Sequence, residues 1–175
     1  RDSEDAVAIN VKSQAREHLR KFLGQPLNTA KKIIVRINAQ DTKFYLDDLQ
    51  AMVECQVDII NLPKVESREQ IIRLATDLQK LEQACGRTSP IQILANIESP
   101  RGLRLAAEIA GAHGRVMGLQ LGFADLLEPL GIDRHEPDVI RPLQLSVRLA
   151  AGEAGIDAYD AAYPSIKDGA LYLSL

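Results

Sequence analysis

The chain has 175 residues, 46% of them hydrophobic and 26% charged, which is ordinary composition for one globular domain with a sizeable core. A formal net charge of −3 gives no electrostatic reason to expect nucleic acid or an anionic membrane as the main partner. No apolar run approaches the length of a membrane span, and the residues show no secretory-leader pattern.

Strand-like and helix-like segments alternate along the chain. Lys12 to Leu23 reads as an amphipathic helix stopped by Gly24 and Pro26, with Lys12, Arg16 and Arg20 at i, i+4, i+8 as a solvated basic face. Lys32 to Asn38 is a β-branched strand, Phe44 to Cys55 has helical periodicity, and Val57 to Lys64 is the next strand. Ser67 and Gln70 form a capping box that opens a helix running to about Ala84, closed by Gly86. Ile93 to Glu98 is a strand, and Ser99-Pro100 then supplies a helix N-cap with proline at the first helical position. That helix ends near Gly111 to Gly114. Val116 to Phe123 is a strand leading to Asp125, followed by a loop from Leu127 to Pro137. Ile140 to Glu153 is a helix with Pro142 in its first turn and Gly155 behind it, and Asp157 to Pro164 is the last clear strand. Cys55 and Cys85 have neither C-x-x-C nor zinc spacing and read as buried small hydrophobes of a reduced, cytoplasmic protein.

Polar residues close each strand-like run: Glu4, Arg36, Lys64, Glu98, Asp125 and Asp160, at intervals of 27 to 35 residues. A near-constant βα period predicts parallel strands wound one way, and continuously apolar strands predict a sheet covered on both faces. The expectation is an α/β chain forming one domain over residues 1–175: a (β/α)8 TIM barrel, incomplete here. The tail of one strand and five further strands are legible, so at least one strand is missing at each end, and the chain reads as part of a longer polypeptide.

Glu98 and Asp125 stand 27 residues apart, about one strand plus one helix, which brings both carboxylates to the same rim of such a sheet. That rim, at the carboxyl ends of the strands, is where parallel α/β folds do chemistry. Each carboxylate has a structural alternative. Asp125 reads equally as a helix N-cap, and Glu98, one residue before the Ser99 cap, as a helix-dipole partner. Lys64 reads as a salt-bridged or snorkelling lysine, with a Schiff-base nucleophile as the alternative. His18, His113 and His135 have no ligand spacing, and neither G-x-S-x-G nor a dinucleotide fingerprint occurs.

Six motifs in order give the chain a resemblance. They are Asp2-Ser3-Glu4-Asp5-Ala6-Val7, Val35-Arg36-Ile37-Asn38, Leu62-Pro63-Lys64-Val65-Glu66-Ser67, Ile97-Glu98-Ser99, Leu121-Gly122-Phe123-Ala124-Asp125-Leu126 and Asp160-Ala161-Ala162-Tyr163. Together they resemble the HpcH/HpaI aldolase and citrate lyase β-chain family, especially its acyl-CoA lyase branch. Ser3 departs from the leucine of the family's D-L-E-D-A-V.

The resemblance implies a barrel that binds Mg²⁺ through Glu98 and Asp125 and contacts substrate through Arg36. A hard cation that keeps several waters and takes one or two carboxylates suits that pair. Arg36 offers a fixed fork for a carboxylate or an enolate oxygen. Glu4 and Asp5 are expected to orient Arg36 or the waters of the metal, with a base role as the alternative. The implied reaction is cleavage of a 3-hydroxy-carboxyacyl-CoA to acetyl-CoA and a small keto acid. The alternatives are an aldolase releasing pyruvate from a free hydroxy-keto acid, and a non-catalytic subunit. A homo-oligomer is expected from the resemblance, and a contact with the phosphates of coenzyme A is the alternative reading of the basic face of Lys12, Arg16 and Arg20.

Overall fold

A computed structural model of the protein describes residues 11–24, 31–55 and 57–161. Strands β1 (Ile34–Arg36), β2 (Ile59–Leu62), β3 (Gln92–Ile97), β4 (Val116–Leu121) and β5 (Asp157–Tyr159) form one sheet. Its spatial order is the chain order, β1-β2-β3-β4-β5, and every pairing is parallel. Parallel neighbours require a crossover between them, which the helices supply. α1 (Lys12–Leu23) precedes β1, and the crossovers carry α2 (Tyr45–Val53), α3 (Arg68–Cys85), α4 (Pro100–Arg104), α5 (Ala106–Ala110), α6 (Phe123–Leu127) and α7 (Pro137–Glu153). Unbroken sequential order is the winding of a β/α barrel rather than of a doubly wound sheet, which reverses at a switch point. The fold is α/β, a partial barrel of the TIM type. No helix among the described residues is long and apolar enough to cross a membrane.

The two faces of the sheet differ in chemistry. Side chains alternate along a strand, and in-register neighbours point the same way. Val35, Ile37, Ile60, Leu62, Ile93, Ala95, Ile97, Leu119 and Leu121 pack into the main core with Leu49, Met52, Ile71, Leu74, Leu78, Ile109 and Val147 from the helices. Each fully buried large aliphatic contributes about 1.5–3 kcal/mol by leaving water. The opposite face carries Arg36 in register with Asn61, and Asn96 in register with Gln120. The strands read as apolar because the second face is also partly apolar, with buried Ile59 and Leu94 beside the buried Asn61 and Asn96.

Local signals set several boundaries. Ser67 Oγ accepts from Gln70 N at 3.4 Å while Gln70 Oε1 accepts from Ser67 N at 3.0 Å, the reciprocal capping box that starts α3. Gly86 ends it at φ 73°, a left-handed conformation that glycine adopts without steric cost.

Other expectations change. Only the Arg20 end of the basic stripe of α1 is solvated. Lys12 is buried and donates to Asn38 Oδ1 at 2.5 Å, Arg16 pairs with Asp48 at 2.9 Å and Asp47 at 3.3 Å, and Arg20 pairs with Glu54. Arg16 and Arg20 face acids of α2 and its C-cap and so dock the two helices, while Lys12 reaches Asn38 beyond β1. The single helix expected after Ser99 is two, interrupted at Leu105. Pro142 lies inside α7, which begins five residues earlier at Pro137. Cys85, the last residue of α3, is exposed, and Cys55 is half-buried; both are free thiols.

Candidate active site at the strand carboxyl ends

Glu98 directly follows β3 and is 3% exposed. Its Oε1 accepts the backbone N–H of Lys64 at 2.6 Å, and its Oε2 receives a long contact of 3.5 Å from Asn96 Nδ2. Burial holds the Glu98 carboxyl above the usual carboxylate range. The Lys64 N–H pulls it down, the charge of Asp125 pushes it up, and the charges of Arg36 and Lys64 pull it down. These influences come from the ends of β1 and β2 and from the segment after β4. The structure thus brings Arg36, Lys64 and Asp125 within electrostatic reach of Glu98 at one rim. Arg36, the last residue of β1, is half-buried, and the Lys64 residue is exposed.

Asp125 departs from its expected place. β4 ends at Leu121, Gly122 is the N-cap, and Asp125 is the third residue of α6. It is neither the strand's last residue nor the cap, because the chain turns into helix at Gly122. It is exposed, so the two carboxylates differ sharply in solvation. Glu4 and Asp5 lie outside the described residues, as do the segments 1–10 and 162–175 that carry the first motif and part of the last.

Lys64 contributes more through its backbone than the sequence suggested. Its φ is 53°, the one positive value at a non-glycine among the described residues. Left-handed backbone is costly for a residue with a Cβ and clusters at functional sites. Here it aims an N–H at Glu98. Two further features needed register to be seen. Asn61 Nδ2 donates to Gln120 Oε1 at 2.8 Å across the polar face. The Oδ1 atoms of Asn61 and Asn96 are buried without a hydrogen-bond partner among the described residues. The only sequence signal for them is an asparagine inside each of two apolar runs, Ile59-Ile60-Asn61-Leu62 and Leu94-Ala95-Asn96-Ile97.

The donor set fits a hard dication. A buried carboxylate pressed by a second carboxylate stays raised even with the charges of Arg36 and Lys64 acting on it, and a bound cation would offset the remainder. Among the described residues no group of three or more His, Cys, Asp and Glu gathers at one point, so the oxygens on offer are two carboxylates plus the free Asn96 carbonyl. Mg²⁺ commonly takes one or two protein carboxylates.

The chain matches known proteins over nearly its whole length. The family model described as HpcH/HpaI aldolase/citrate lyase matches residues 1–174. Citrate lyase subunit beta of Escherichia coli K12 is 35% identical over 174 residues, covering 98% of this chain and 58% of the relative. A (3S)-malyl-CoA thioesterase of Cereibacter sphaeroides is 36% identical, covering 95% of this chain and 55% of the relative. Among solved structures, the citrate lyase beta subunit of M. tuberculosis, complexed with oxaloacetate and magnesium, superposes with a TM-score of 0.76. It is 34% identical and covers 95% of this chain and 69% of that one. The chain spans a little over half the length of these two curated relatives.

Proposed function

Because the chain belongs to the HpcH/HpaI aldolase/citrate lyase family, we propose that the rim site cleaves a carbon–carbon bond in a 3-hydroxy-carboxyacyl-CoA. Citramalyl-, malyl- and citryl-CoA are the candidate substrates, and acetyl-CoA and a small keto acid the products. The observation that carries this reading is the buried Glu98 carboxyl, raised by burial and by Asp125 on the rim that also holds Arg36.

Glu98 and Asp125 are the residues that would hold Mg²⁺, the ion named with the M. tuberculosis structure. When bound there, it supplies Lewis acidity and a template for substrate oxygens. Arg36 binds the substrate carboxylate, and its fixed charge stabilises negative charge that develops as the bond breaks. In the proposed reaction a proton leaves the β-hydroxyl and the bond between the α and β carbons breaks. The electron pair passes to the thioester as an enolate, which takes up a proton to give acetyl-CoA. Glu4 and Asp5 are assigned the task of orienting Arg36 and nearby water. The exposed Lys64 ammonium adds positive charge at the mouth, while its N–H fixes one Glu98 oxygen.

The malyl-CoA thioesterase relative favours a second reading, hydrolysis of the thioester itself. Incubating the whole protein with Mg²⁺ and each of the three thioesters separates the two. Acetyl-CoA with a keto acid supports carbon–carbon cleavage, free CoA with an intact hydroxy acid supports hydrolysis, and neither product contradicts both.

A further inference from the structure

We infer that Gln70 is a positioning residue for the rim site, acting through the Lys64 backbone on Glu98. The inference rests on the proposed role of Glu98 as a metal ligand. A capping box needs one thing of its third helical residue, an acceptor for the N–H of the cap. Gln70 does more. Its Oε1 accepts from Ser67 N at 3.0 Å and also from Glu66 N at 2.6 Å. Its Nε2 donates to Lys64 O at 3.3 Å. One carboxamide therefore spans three backbone groups of the turn between β2 and α3. Gln70 is itself held from the β1–α2 loop, where the buried Gln40 donates from Nε2 to Gln70 O at 2.9 Å.

Lys64 needs such a clamp. At φ 53° it sits in a region that a lysine does not favour, so its backbone must be held there by its surroundings. Held there, its N–H reaches Glu98 Oε1 at 2.6 Å, while the next residue, Val65, donates its N–H to Asn96 O at 3.2 Å. Releasing the Lys64 carbonyl would loosen the Lys64–Val65 peptide, let the Lys64 dihedrals relax from φ 53°, and so turn the N–H of the preceding Pro63–Lys64 peptide away from Glu98. The side chain also has to be an amide. Glutamate serves equally in a capping box, but it has no donor for the Lys64 carbonyl.

Gln70→Glu separates the two roles, because it keeps the acceptor that caps α3 and replaces the donor with a second acceptor facing Lys64 O. Ser67→Ala is the converse variant, removing the cap side chain and leaving the Gln70 carboxamide. Amide hydrogen exchange in the metal-free whole protein is the first readout. Gln70→Glu is expected to speed exchange at Lys64 about tenfold or more, with Ile71 to Leu78 unchanged, while Ser67→Ala lowers thermal stability and leaves Lys64 at its wild-type rate. Calorimetric titration with Mg²⁺ is the second. Gln70→Glu is expected to weaken binding by about 10- to 100-fold, the range for residues that orient a ligand, and Ser67→Ala to leave it unchanged. Wild-type exchange at Lys64 in Gln70→Glu, or equal acceleration in Ser67→Ala, would overturn the inference. The exchange measurement needs no metal, so failure of wild-type protein to bind Mg²⁺ would overturn only the functional reading.

Discussion

Gly122 lies hard against Glu98: a Cβ on Gly122 would stand 2.6 Å from Glu98 Oε2 and 2.7 Å from Glu98 Cβ. The glycine that caps α6 is thus also the wall that sets the Glu98 side chain. Gly122→Ala forces the carboxylate to move, since the contact includes the Cβ of Glu98 as well as its flexible end. The expected result is a loss of about 1–3 kcal/mol of stability, as for overpacked sites, together with weaker Mg²⁺ binding. Urea unfolding and Mg²⁺ calorimetry on the same variant check both. An alanine variant with wild-type values in each would contradict the close fit.

Glu98→Gln should separate function from stability. The amide oxygen still accepts the Lys64 N–H, and a buried charge that burial disfavours is gone. The metal-free variant is expected to melt at or above the wild-type temperature while losing at least 10²-fold in turnover of an acyl-CoA substrate. A large drop in melting temperature would show that the carboxylate serves the fold instead.

Glu82 and Arg115 give the pH dependence. Arg115 Nη2 meets Glu82 Oε2 at 2.7 Å and its Nη1 meets Oε1 at 2.7 Å, while Ile91 N also donates to Oε1 at 2.7 Å. Burial alone would raise the Glu82 carboxyl, but the Arg115 and Ile91 hydrogen bonds and the Arg115 and Arg87 charges outweigh it and leave it below the usual range. The unfolded chain then binds the Glu82 proton more readily than the folded one. Stability from this group is fully present above the ordinary glutamate value of about 4.3 and is lost as pH falls through the lower folded value. Thermal melts from about pH 6 down to pH 3 should show a shallower acid decline in Glu82→Gln than in wild type. Arg115→Ala, which strands a buried carboxylate, is expected to cost about 3–5 kcal/mol near neutral pH.

The docking of α1 predicts unequal arginines. Asp48 is buried and accepts from Arg16 at 2.9 Å, from Asn38 N at 3.0 Å and from Asn38 Nδ2. Arg20 and Glu54 are both exposed. Arg16→Ala is expected to cost about 1.5–3 kcal/mol, the value of a hydrogen bond to a charged buried group, and Arg20→Ala under about 1 kcal/mol. Denaturant titrations with equal losses for the two would contradict the buried network.

Features written in neighbouring residues were legible from sequence. The bounds of α1, the Ser67–Gln70 capping box and the Gly86 stop each depend on a few adjacent side chains, and all three hold. Sequential parallel order followed from the βα period, because right-handed crossovers leave few other arrangements. Features that depend on partners distant in the chain were not legible. The stripe of α1 looks identical whether it meets water or the acids Asp47, Asp48 and Glu54. The polar face of Asn61, Asn96 and Gln120 exists only once register is known. Asp125 reads as a strand end until Gly122 is seen to start α6. The place of Glu98 beside Lys64 N–H, and the left-handed Lys64 that supplies it, required coordinates as well.

The proposed chemistry requires Glu98 and Asp125 to hold one divalent cation together. Calorimetric titration of the whole protein with Mg²⁺ tests it directly, run on wild type, Glu98→Gln and Asp125→Asn. Saturable binding by wild type, lost in both variants while their melting temperatures hold, is the predicted result. Mg²⁺ binding at wild-type affinity in Glu98→Gln would contradict it.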